Sequence, residues 1–121
     1  MTERAENLHR LLTMIKDVEL TRLSQLSALQ RVAQADVTRL QETRDRRAQD
    51  IAALSEPDAA MSAGSDQKWQ LWAEAEAARL GAIAAEIAAR HRDQRALARK
   101  AFGRMQAFDA MTESLLRPKR D

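Results

Sequence analysis

From Leu23 onward the chain repeats a spacing of three and four residues through Leu23, Leu26, Gln30, Ala33, Val37, Leu40, Arg44, Arg47, Ile51 and Leu54. A mostly apolar stripe with a period of 3.5, held over more than four heptads, predicts the seam of a coiled-coil helix. Upstream, Leu8, Leu12 and Ile15 form a similar stripe. The step from Leu12 to Leu23 is eleven residues and reads as a stutter, a local unwinding of the supercoil. A second stripe steps through Trp69, Ala73, Glu76, Leu80, Ile83, Ile87, Arg90, Gln94, Leu97, Ala101, Arg104 or Met105, Phe108, Met111 and Leu115.

Between the stripes lies SEPDAAMSAGS, residues 55–65, the one cluster of Ser, Pro, Asp and Gly in the chain. Pro57 disfavours helical geometry at the residue before it, so the first helix should stop near 55. Ser55, Glu56 and Pro57 also suit the start of a short helical turn inside the linker. Ser65 or Asp66 is then expected to cap the second helix, and Pro118 to end it. The expectation is a single all-α domain in which two long helices form an antiparallel coiled-coil hairpin: helix 3–55, turn 56–65, helix 66–117. With the turn centred near residue 60, Leu40 should face Ile83, Ala33 and Val37 should face Ile87, and Leu23 and Leu26 should face Leu97. Leu12 and Ile15 should meet Phe108, Leu8 should meet Leu115, and Arg44 and Arg47 should approach Glu76. Glu6–Arg10, Glu42–Arg46 and Glu86–Arg90 have the favourable direction for intrahelical ion pairs.

Composition supports a thin structure. Aromatic residues make up 3% of the 121, Cys and Tyr are absent, and 31% are charged. A thick core built on large rings is excluded by that scarcity, as are disulfides, thiolate chemistry and cysteine zinc sites. No apolar run reaches the length of a membrane span, and MTERAENLHR has no hydrophobic signal core, so a soluble, cytoplasmic chain is expected. His9 and His91 are distant in sequence, and the carboxylates are scattered singly along helix faces. The loop motifs GxxxxGK[ST], HExxH and GxSxG are missing, and a two-helix hairpin has no cleft to enclose a substrate. Neither catalysis, a metal, a cofactor nor a small-molecule substrate is expected.

The net charge of +2 is uneven: residues 1–58 hold nine basic and ten acidic side chains, whereas residues 59–121 hold eleven and eight. Arg90, Arg92, Arg95, Arg99, Lys100 and Arg104 are opposed in their window by Asp93 alone. Arg92, Arg95 and Arg99 share one helix face. That face reads as a solvated surface, as a docking stripe for an acidic protein, or, less favoured without a stacking platform, as a nucleic-acid contact. Trp69 should seal the hairpin against Ile51 and Leu54, while Trp72 is harder to cover and is a candidate anchor. Near the other end, Phe102, Met105, Phe108, Met111, Leu115 and Leu116 exceed what one seam needs. Phe102 and Leu116 are therefore expected to be left for a partner.

The Gly- and Pro-free first helix, the Ser/Gly linker, DQKWQLW opening the second helix, AARHRDQ at 88–94 and KAFGRMQAFDAMTES at 100–114 resemble the FliJ/YscO family of flagellar and type III export stalk proteins. The resemblance spans nearly the whole chain. It implies a rod whose terminal end enters the pore of a hexameric export ATPase and which links that ring to the membrane export gate, with escort of export chaperones as a further role. It places Leu8, Leu11 and Leu12 with Phe102, Phe108, Met111 and Leu115 at the pore end, and His91 and Leu80, with Ala84 and Ile87, on the gate-facing surface. The chain would then be cytoplasmic and peripheral to the membrane through its partners. The alternatives left by the residues alone are a self-associating coiled-coil scaffold and a basic nucleic-acid-binding coiled coil.

Overall fold

A computed structural model describes residues 2–116, and the side chains of these except residues 57–63. The fold is all-α: two helices, α1 (Glu3–Ala52) and α2 (Glu56–Leu116), pack against each other as a hairpin, with no strand among the described residues. The fifty residues of α1 contain no helix breaker. The Thr2 hydroxyl caps it by accepting a hydrogen bond from the Ala5 N–H at 3.2 Å. Glu3 and Glu6 add negative charge to the first turn, at the positive end of the helix dipole.

The turn is shorter and earlier than expected. It occupies Ala53 to Ser55, where the Leu54 N–H bonds the Ile51 carbonyl at 3.1 Å, and residues 56–65 form the first turns of α2. Pro57 falls in the first turn of a helix, where a missing N–H costs nothing and its fixed φ fits. Ser55 stands at the N-cap position. Gly64 takes no left-handed conformation, so the composition that marks a turn is here carried by a helix. Ser65 and Asp66 lie inside α2 and do not cap it.

Contacts group the chain into two units. One joins the chain up to Ser27 with the chain from Ala89 onward, and the other is Ala28–Ala88.

In the terminal unit the shielded line of α1 runs through Leu12, Lys16, Glu19, Leu23 and Leu26. Its steps alternate four and three without interruption, so the stutter expected between Leu12 and Leu23 is absent. The eleven-residue gap arises because Lys16 and Glu19 hold seam positions with their aliphatic stems. Across from it lie His91, Gln94, Ala98, Ala101, Met105 and Phe108 of α2. Thr13 Oγ1 approaches Met105 Sδ at 3.8 Å, and Ser27 Oγ lies 2.9 Å from His91 Nε2. The buried Gln94 amide donates to the Glu19 carbonyl at 3.0 Å and to its carboxylate at 2.6 Å. His9 packs its ring on Phe108 at 5.7 Å between centroids and lies 3.8 Å from Asp109.

In the central unit, Ala33, Val37, Leu40, Arg44, Arg47 and Ile51 are shielded, as the periodicity predicts, while Leu54 is exposed. The facing line of α2 is Gln70, Ala73, Ala77, Leu80, Ala84 and Ile87. Arg47 does not reach Glu76. Its Nε donates to Asp66 at 3.0 Å and its guanidinium lies over the Trp69 ring at 4.7 Å, while Glu76 is paired with Arg79. With the turn at 53–55, partners of α1 fall about one helical turn or more earlier in α2 than a turn near 60 implies. In the terminal unit Thr13 with Met105 and Ser27 with His91 show a smaller offset, about two residues or half a helical turn.

Along α2 the expected seam is half right. Ala73, Leu80, Ile87, Gln94, Ala101, Met105 and Phe108 are shielded as read. The positions between them are filled not by Ile83, Arg90, Leu97 and Met111 but by the residue after each: Ala84, His91, Ala98 and Thr112. Ala73 has 0% of its surface accessible. Alanines on the inner line let the helix axes come close, which leaves the larger neighbours on the flank. Intrahelical ion pairs spaced by three join Glu19–Arg22, Asp36–Arg39 and Glu76–Arg79, and Lys16 lies 3.9 Å from the adjacent Asp17, whereas the expected Glu6–Arg10 and Glu42–Arg46 pairs do not form.

Candidate partner-binding surfaces

A helix that keeps its inner line in heptad phase carries a second line one residue earlier, at the same spacing. In the terminal unit this second line of α1 is Leu8, Leu11, Ile15 and Val18, all exposed. Leu11, at 52% accessibility, with Met14, Ile15 and Val18, walls a shallow groove of about 340 Å³ that Glu19 and Arg22 complete. These four side chains keep 36–52% of their surface accessible, and their 3-4-3 steps form an apolar edge as regular as the seam itself.

Of the residues assigned to a pore end, Leu8, Leu11, Phe102, Met111 and Leu115 are exposed, Leu115 at 79%. Leu12 is half-buried on the inner line. Phe108 is buried, at 6%, beneath His9, so it packs the hairpin and offers no surface. Apolarity alone puts Ile15 on the seam and gives no sign of Val18; with Lys16 and Glu19 as seam residues, the repeat of the 3-4 spacing one residue earlier is the signal that finds both on the surface.

On another side of α2 in the same unit, Arg92, Arg95 and Arg99 are all exposed. None of the three has a carboxylate within ion-pair distance among the described residues. Continuing their spacing by one step reaches Phe102, also exposed. His91, assigned with them to the gate face, points instead to the inner line, where Ser27 occupies its Nε2.

Within the central unit, Leu80 is likewise an inner residue. It closes a small cavity of about 50 Å³ with Val37, Leu40, Gln41, Arg44 and Ala77. The gate-facing assignment of His91 and Leu80 thus falls on packing positions. Trp69 is half-buried under Arg47, with Leu54 exposed rather than sealed beneath it. Trp72 is 54% accessible, its ring 6.0 Å from that of Trp69. The two indoles, with Leu40 and Leu80, line a groove of about 400 Å³. Its charged rim is internally matched: Arg39 pairs with Asp36 at 3.4 Å, and Arg79 pairs with Glu76. The hydrogen bond from Arg79 holds the Glu76 carboxyl below the usual glutamate range and raises the Arg79 guanidinium.

Among the described residues no group of three His, Cys, Asp or Glu side chains is placed to hold a metal ion, and no helix is long and apolar enough to cross a membrane. No family, no curated protein and no solved structure matches the chain.

Proposed function

We propose that this chain is a non-catalytic helical stalk that binds the hexameric ATPase of a flagellar or type III export apparatus and links it to the export gate, at the cytoplasmic side of the membrane. The observation that supports the reading is the exposed edge of Leu8, Leu11, Ile15 and Val18 in the terminal unit. An apolar strip of that regularity on a two-helix hairpin is a surface for another protein, and the end that carries it is the one the resemblance places in the ATPase ring. The exposed Phe102, Met111 and Leu115 extend the apolar surface of that unit. Co-purification with the export ATPase from the same genome, together with a rise in ATP turnover on adding the chain, is the expected result. No association and no change in turnover would remove the proposal.

The same edge favours a second reading, a scaffold that self-associates into a four-helix bundle by burying the edge against a second copy. Sedimentation equilibrium separates the two readings, because the stalk exists as a monomer and the bundle does not.

A further inference from the structure

We infer that the Arg92, Arg95 and Arg99 face of α2 is a docking site for an acidic amphipathic helix of a partner protein, with Phe102 as its apolar stop. This site is distinct from the apolar edge of α1. The three guanidiniums are exposed, have no carboxylate partner among the described residues and follow one another at steps of three and four. Neighbours at that spacing sit about 5–6 Å apart on a helix surface. Carboxylates at the same spacing on a second helix repeat at the same distance, so each guanidinium meets one carboxylate, and the planar fork of arginine favours two-point contact. The 3-4 step also keeps the stripe in phase with a helix lying along it, as a seam does.

The charge complement decides the occupant. The three arginines form one line whose next step is the exposed Phe102 rather than a further cation, and the exposed Lys100 and Arg104 lie off that line, about a quarter-turn or more round the helix. A duplex or an anionic bilayer asks for a broad basic footprint, whereas a helix with an acidic face and a flanking leucine asks for a line of cations ending in a ring.

The test uses the full chain and a labelled synthetic helix carrying Glu at i, i+3 and i+7 of each repeat and Leu at the following step. A copy with Gln for Glu, a short duplex DNA and phosphatidylserine/phosphatidylcholine vesicles are run in parallel. The acidic helix is expected to bind most tightly and to weaken with added salt. The R92E/R95E/R99E chain should lose roughly tenfold or more in affinity for it, with unchanged circular dichroism, and Phe102→Ala should lose a few-fold. If charge reversal lowers helicity, R92Q/R95Q/R99Q gives the same readout with less perturbation. Equal binding of the Gln helix, full affinity in the folded triple variant, or tighter binding to DNA or vesicles would each overturn the assignment. No ATPase is present in this assay, so its outcome is separate from that of the stalk reading.

Discussion

Ala73, Ala98 and Ala101 carry the close contact between the helices, each with almost no accessible surface. At such a position there is no room for a longer side chain. Ala98→Leu is expected to destabilise the chain by about 1–3 kcal/mol in urea denaturation, because the inserted atoms must push the facing helix away. Glycine gives the opposite sign. A methyl group added at Gly81 or Gly103 would meet nothing within 4 Å, and both have ordinary helical backbone. Gly103→Ala should therefore stabilise by about 0.5–1 kcal/mol, read as a rise in Tm. Gln94 is the buried polar residue whose loss should be felt. Its amide holds both the carbonyl and the carboxylate of Glu19, so Gln94→Leu removes both bonds and leaves the carboxylate to Arg22 alone, at a cost of about 1 kcal/mol.

At the scale of elements, α1 from Leu23 to Ile51 was legible because its inner Leu23, Leu26, Val37, Leu40 and Ile51 stand among polar or small neighbours, so hydrophobic periodicity and shielding coincide. The N-terminal third of α1 and alternate inner positions of α2 broke that coincidence in opposite ways. In α1, Lys16 and Glu19 hold inner positions while Ile15 and Val18 lie outside, and a reading guided by side-chain apolarity slips by one residue. In α2 the small Ala84, Ala98 and Thr112 hold inner positions, and their larger neighbours Ile83, Leu97 and Met111 draw a reading by apolarity to the flank. The candidate surfaces followed the same fate. The arginine stripe was visible in full because exposure is the default for charge, whereas the apolar edge appears only once the phase of the seam is known.

Two measurements belong to this scale. Lys16→Leu places an apolar side chain on the continuous seam and should raise stability by about 1 kcal/mol. A true stutter at this site would leave residue 16 off the seam and the substitution without gain. In the central unit, Arg79 lowers the Glu76 pKa. The contribution of that pair is present above the ordinary glutamate range and is lost as the pH falls through the depressed folded value. The stability difference between the native chain and Glu76→Gln should accordingly shrink to nothing in acid and be small at neutrality, since the pair is at the surface.

For the whole molecule, the question is what the unpartnered apolar edge is for. Leu11→Ser with Val18→Ser alters two exposed side chains, so the isolated chain should keep its stability to within about 0.5 kcal/mol for each change. Association with the export ATPase should fall by at least about tenfold, because the central anchors of an interface carry most of its energy. If the edge instead joins two copies, the same variant shifts the native dimer to monomer in sedimentation and leaves ATPase turnover untouched.

The chain has two tryptophans and no tyrosine, and both indoles sit in the central unit, one beneath Arg47 and one half in solvent. The pairing gives the molecule an optical reporter that is confined to one of its two units. Intrinsic emission follows the central unit alone, whereas far-ultraviolet dichroism sums over every turn of both helices. Superimposed melting curves from the two signals would mean that the hairpin opens as one cooperative body, and a dichroism loss that precedes the emission change would mean that the terminal unit opens first.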